Sequence, residues 1–135
     1  MARAEVRLVP ASAGAARRAA ARCLRRAGVT GTAVTDAVLL VVTELVTNAQ
    51  RHAGGVTGLT LRVTRDRVEL TVRDAGPAFP GGGPDRVEPF RKVGLQLIAH
   101  LSTGVTVTPG DGGKAITATV SLTAPAGGSA PASRG

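Results

Sequence analysis

Three polar side chains recur at intervals of four within an apolar stretch: Glu44, Asn48 and His52. On a helix that spacing sets them in one row, beside a second row of Val38, Val41, Val42, Leu45 and Ala49. Such a polar row is ordinarily a strip facing solvent. Two features set this one apart: Glu44 and Asn48 are embedded among Val41, Val42, Leu45 and Val46, and the stretch stops at Gly54-Gly55 without a capped surface turn. The residue types suit a hard cation and a proton transfer. Mg²⁺ keeps several waters and takes one or two protein oxygens together with substrate phosphates. The amide carbonyl of Asn48 can supply one such oxygen, and the Glu44 carboxylate can position or deprotonate a water or hydroxyl.

Periodicity and breakers define the elements that must hold these residues. Thr32 to Ala53 is predicted as a helix, with Thr32 or Thr35 as its cap and Asp36 in its first turn. Ahead of it, Glu5 to Val9 alternates polar and apolar as a short strand ended by Pro10. Ser12 then caps a helix from Ala13 to Ala27, closed by Gly28, whose Arg17, Arg18, Arg22, Arg25 and Arg26 give it a basic outer surface. Beyond Gly54-Gly55, Thr60 to Thr64 and Val68 to Arg73 read as two strands around Arg65-Asp66-Arg67.

Asp74 to Lys92 differs from everything before it, with Pro-containing stretches around Gly81-Gly82-Gly83; a loop of this length in a small domain is usually functional or mobile. Gly94 to Leu101 has helical spacing, and Val105 to Thr108 and Ala115 to Leu122 supply two more strands across the turn Pro109 to Gly113. The order β-α-α-β-β-loop-α-β-β predicts an α+β fold: a two-layer sandwich with helices on one face of a mostly antiparallel sheet. One domain is expected over residues 1–123, followed by a Pro/Gly/Ser/Ala-rich tail, 124–135, expected to be disordered.

Composition narrows the function classes. At 135 residues there is room for a single modest core, and with Phe79 and Phe90 as the sole aromatics it must be built from Val, Leu, Ile and Ala. A net charge of +8 favours an anionic partner. Nucleic acid is the poorer match, because stacking aromatics are lacking and no zinc-finger or RNA-recognition motif surrounds the arginines. Cys23 stands alone in Ala-rich helical sequence and reads as a small packing residue. No secretory leader pattern and no stretch approaching a membrane span is expected, which makes the cytoplasm the expected location.

The run Glu44-Leu45-Val46-Thr47-Asn48-Ala49-Gln50-Arg51-His52-Ala53 resembles the N-box of the GHKL (Bergerat-fold) superfamily, and most of all that of the stand-alone RsbW/SpoIIAB-type anti-sigma factors and serine kinases. The resemblance implies a histidine-kinase-like ATP-binding domain in which Asn48 ligates Mg²⁺, Glu44 serves as base, and His52 positions or packs near the phosphates. Val72 to Pro77 resembles the G1 box, whose Asp, here Asp74, accepts from the adenine amino group, with Gly76 letting the backbone approach the base. That implies a preference for adenine, since guanine presents a carbonyl at the same place. Lys92-Val93-Gly94-Leu95 resembles the G2 box that receives phosphates, with Lys92 where a glycine is usual, and Phe79 to Arg91 would be the ATP lid. Gly112-Gly113-Lys114 resembles the terminal Gly-Gly-Lys-Thr stretch; Ala115 stands where Thr is common, and Thr117 is the substitute on the same face.

On this resemblance the chain is expected to bind ATP and Mg²⁺ and to phosphorylate a Ser or Thr of a small antagonist protein. Its implied partners are a sigma factor, an anti-anti-sigma-like protein, or both, and a second copy of itself in a homodimer. A non-catalytic module, in which nucleotide gates protein binding, is the alternative.

Overall fold

The computed structural model describes residues 2–52, 54–76, 98, 100–110 and 112–122. Among these residues, five strands and two helices follow in the order β1 (Ala2–Leu8), α1 (Ala13–Arg26), α2 (Thr32–His52), β2 (Val56–Thr64), β3 (Arg67–Asp74), β4 (Gly104–Gly110) and β5 (Gly113–Ser121). Ile98, His100 and Leu101 are also helical. The strands form one sheet in the order β1-β2-β3-β5-β4, and all four pairings are antiparallel. The helices cover one side, giving the expected α+β two-layer architecture. The expected lid and tail lie outside the described residues.

Local chemistry accounts for the helix boundaries. The Ser12 hydroxyl accepts from the Ala15 amide at 3.0 Å, satisfying one of the donors left free at the start of α1. At its other end the Gly28 amide donates to the Arg25 carbonyl and the Val29 amide to that of Leu24, with Gly28 at φ 79°. That left-handed turn is open to glycine at little cost, which is why α1 stops there. Ser12→Ala should therefore lower stability by about 1 kcal/mol, read as a fall in the denaturant midpoint with an unchanged slope. The start of α2 differs from the sequence expectation. The Thr35 amide donates to the Gly31 carbonyl, so Gly31 occupies the cap position, and no acidic residue falls in the first turn. Asp36 lies one residue further on.

The core follows from two periodicities meeting. From α2, Val38, Val41, Val42, Leu45, Val46 and Ala49 are at most 2 % exposed. Opposite them stand alternate residues of the sheet: Leu59, Leu61 and Val63 of β2, Val68, Leu70 and Val72 of β3, and Ile116, Ala118 and Val120 of β5. Burying one such Leu or Val contributes about 1.5–3 kcal/mol. α2 packs on β2, β3 and β5, while α1 packs on α2, β1 and β2. Thr32 to Arg51 has the length and mean hydropathy, 1.4, of a membrane span, contrary to the sequence expectation. In this fold its most apolar side faces the sheet.

Cys23 is buried within the same core, and burial pushes its thiol up from the ordinary value, against a smaller opposing effect of Arg26. That makes it a poor nucleophile and a good small packing residue. The five α1 arginines named above are all exposed, as their placement on the sequence predicts.

Candidate functional site

Chain connectivity brings two of the predicted clusters to one end of the sheet. α2 carries Glu44 and Asn48 in its C-terminal half and hands the chain through Gly54 (φ 73°) and Gly55 (φ 109°) to Val56. Val56 is the β2 partner of Asp74, the last residue of β3. The late turns of α2 and the end of β3 thus lie together, and Asp74 belongs to the helix-facing set of β3, four per cent exposed.

Glu44 and Asn48 flank the buried stripe of α2 and are half-buried themselves. Among the described residues neither makes a hydrogen bond or ion pair. By contrast, Thr43, on the same helix, returns its hydroxyl to the Leu39 carbonyl at 2.8 Å. A half-buried carboxylate and amide, one turn apart and with no partner among the described residues, have acceptor oxygens left for a ligand. No group of three or more His, Cys, Asp or Glu converges among the described residues. The donor set therefore fits a cation that Asn48 would hold together with oxygens brought by a nucleotide, and not a cage made by protein alone. His52 is the last residue of α2, and its side chain lies outside the described residues, as do Lys92, Gly94 and Leu95.

The surroundings of Asp74 contain a residue that the sequence reading did not assign to the site. Lys114 Nζ donates to Asp74 Oδ1 at 2.9 Å, and the amide of Gly76 donates to the same oxygen at 2.9 Å. The side chains of Lys114 and Asp74 are only 6 % and 1 % exposed. A turn residue bonding the amide two positions on is the ordinary structural role of such an Asp. Here it is joined by a buried ion pair across strands, and breaking such a pair on one side typically costs about 3–5 kcal/mol.

Two glycines make this pair. Gly112, at φ 72°, closes the hairpin between β4 and β5. Gly113 has no room for a side chain: a Cβ there would fall on the carbonyl oxygen of Asp74 and crowd the Cα of Ala75. That close approach sets Lys114 opposite Asp74 in the register of β3 and β5. A cavity of about 260 Å³ opens beside them, lined by Thr57, Arg73, Asp74, Gly113, Lys114 and Ala115 together with the end of β4.

Thr117 is placed elsewhere. Its hydroxyl meets that of Thr71 at 3.0 Å, and both residues belong to the strand set opposite the buried one. It therefore lies on the side of the sheet away from the helices and does not join Asp74. The alternation of Ile116, Ala118 and Val120 carried this information in the sequence: those apolar positions claim the helix-facing side, and Lys114 shares their parity.

The Histidine kinase-like ATPase domain family matches residues 6–120, which takes in the end of β1, all of α1 to β4, and β5 apart from its last residue. The chain belongs to this family, within the GHKL superfamily. No curated protein matches it.

Proposed function

We propose that this chain binds ATP with Mg²⁺ and acts in the cytoplasm as an anti-sigma-factor-like protein kinase, phosphorylating a Ser or Thr of a small antagonist protein. The observation that carries the reading is the half-buried pair Glu44 and Asn48 beside the core stripe of α2, without a partner among the described residues, in a domain of the histidine kinase-like ATPase family. Asn48 would hold the cation, and Asp74 would accept from the base. Bound ATP supplies the transferable phosphoryl group. Glu44 takes the proton from the substrate hydroxyl as that oxygen forms its new bond to phosphorus, and ADP leaves with the bridging oxygen. Such transfer is achieved by positioning and charge neutralisation, and needs no covalent intermediate on the protein. A sigma factor and a homodimeric state complete the reading by family likeness.

One observation favours the second reading, a nucleotide-gated binding module without transfer. Lys92 stands where the phosphate-receiving G2 box ordinarily has a glycine, which alters the phosphate end that transfer depends on more than the base end.

Binding comes first in any test. ATP or ADP at millimolar concentration should raise the melting temperature, and do so far more strongly with Mg²⁺ than with a chelator. At a hundredfold excess over Kd, linkage alone contributes about 2.7 kcal/mol. A melting temperature indifferent to nucleotide under both conditions would remove ATP from the reading.

A further inference from the structure

The carboxylate assigned to the base under the proposed function is already engaged. The Asp74 side chain is 1 % exposed, and Lys114 stands directly across from it in the register of β3 and β5. The Lys114 ammonium donates to Oδ1 at 2.9 Å, and the Gly76 amide donates to the same oxygen. A base that comes to this carboxylate meets an acceptor that is buried and taken. We propose that Lys114 is the internal competitor of the nucleotide base: its ammonium holds Asp74 when no nucleotide is bound, leaves the carboxylate when one binds, and so sets how tightly the chain takes ATP. The proposal rests on Asp74 lying at the base site, as under the proposed function.

Of the two described donors on Oδ1, only one is free to leave. The Gly76 amide belongs to the backbone two residues on, so the turn itself fixes that bond. Lys114 carries its ammonium on a flexible four-carbon stem, and rotation about its own bonds can take the charge to water with both strands in place. The exchange is unfavourable for Asp74. It gives up a charged donor for the neutral amino group of adenine, and hydrogen bonds to charged groups are the stronger kind. The pair is also shut away from water, where attraction between charges is screened least. Part of the nucleotide's interaction with the site therefore goes into undoing the pair, and the apparent affinity falls in proportion. A supporting role and a competing role for Lys114 predict opposite signs. If the pair only steadies the base site, removing the ammonium loosens Asp74 and weakens ATP. If it competes, removing it strengthens ATP while folding stability falls, because the buried carboxylate loses its cation.

The test is calorimetric titration of the full chain with Mg-ATP and Mg-ADP in the parent, Lys114→Ala and Lys114→Gln, each checked for folding by circular dichroism and melting. Lys114→Ala should bind both nucleotides about 10- to 100-fold more tightly than the parent, the worth of a hydrogen bond to a charged group. The factor should be the same for ATP and ADP, which share the base. Lys114→Gln keeps a neutral donor for Oδ1, so it should fold more readily and gain a smaller factor. Affinity that is unchanged or weaker in every folded variant overturns the proposal. If neither variant folds, the parent decides: saturating Mg-ADP should speed modification of Lys114 by an amine-selective reagent, followed by mass spectrometry. A rate left unchanged or lowered overturns the proposal. Asp74→Asn added to Lys114→Ala tests the reading beneath. Affinity that this second change leaves unaltered means that the base lies elsewhere, and the proposal falls with its premise. Affinity that it lowers, with no gain from Lys114→Ala itself, means that the base site is right and Lys114 does not compete.

Discussion

Glu44→Ala is expected to leave Mg-ATP affinity nearly intact and to lower single-turnover phosphoryl transfer by about 10²–10⁴-fold, the usual contribution of a general base. The expectation follows from where the side chain stands. Glu44 is half-buried on the flank of α2, outside the stripe of Val41, Val42, Leu45 and Val46. It makes no ion pair among the described residues, so its removal orphans no described charge and opens no core cavity. Asn48→Ala should behave differently, losing affinity and transfer together, because a metal ligand acts on the ground state as well as on the transition state. The measurement pairs nucleotide affinity by calorimetry with radiolabel transfer to proteins that co-purify with the chain. Transfer that survives in Glu44→Ala rules that residue out as the base. A parent protein that binds Mg-ATP yet labels no partner removes the kinase reading and leaves the gated binder.

Gly113→Ala should have the largest structural effect of any single methyl addition in the β4–β5 hairpin. The added carbon would fall on the Asp74 carbonyl oxygen, with the Asp74 carbonyl carbon and Ala75 Cα also in close contact. These are backbone atoms of a neighbouring strand, so no side chain can swing aside to relieve the clash. The start of β5 must move away from the end of β3. Overpacking of this kind costs about 1–3 kcal/mol, a fall in melting temperature of about 4–11 °C in a chain of this size. Gly110→Ala is the control within the same hairpin: nothing lies near its added carbon and its φ is not in the left-handed region. It should change stability by less than about 0.5 kcal/mol. Equal melting temperatures for the two variants would show that the close approach at Gly113 tolerates a side chain.

Features that depend on neighbours in the chain were legible from the residues alone. Ser12 and Gly28 bound α1, and the Val and Leu spacing defines the buried side of α2, because a cap or a helical face involves residues only a few positions apart. Strand alternation likewise predicted β2, β3 and β5, although the pairing of Val56 with Asp74 carries β2 four residues further toward its start than the apolar pattern reached. The row of Glu44 and Asn48 was readable for the same reason, since one helical turn relates them. Which side of β5 meets the helices is set by packing between elements distant in the chain. A strand's pattern gives the parity of its side chains, while packing against α2 selects the parity that is buried, and that choice sends Thr117 to Thr71 and Lys114 to Asp74. The ion pair spans 40 positions of sequence. It exists because β4 and β5 fold back as a hairpin beside β3, and because Gly113 lets the two backbones come close enough for the register to hold.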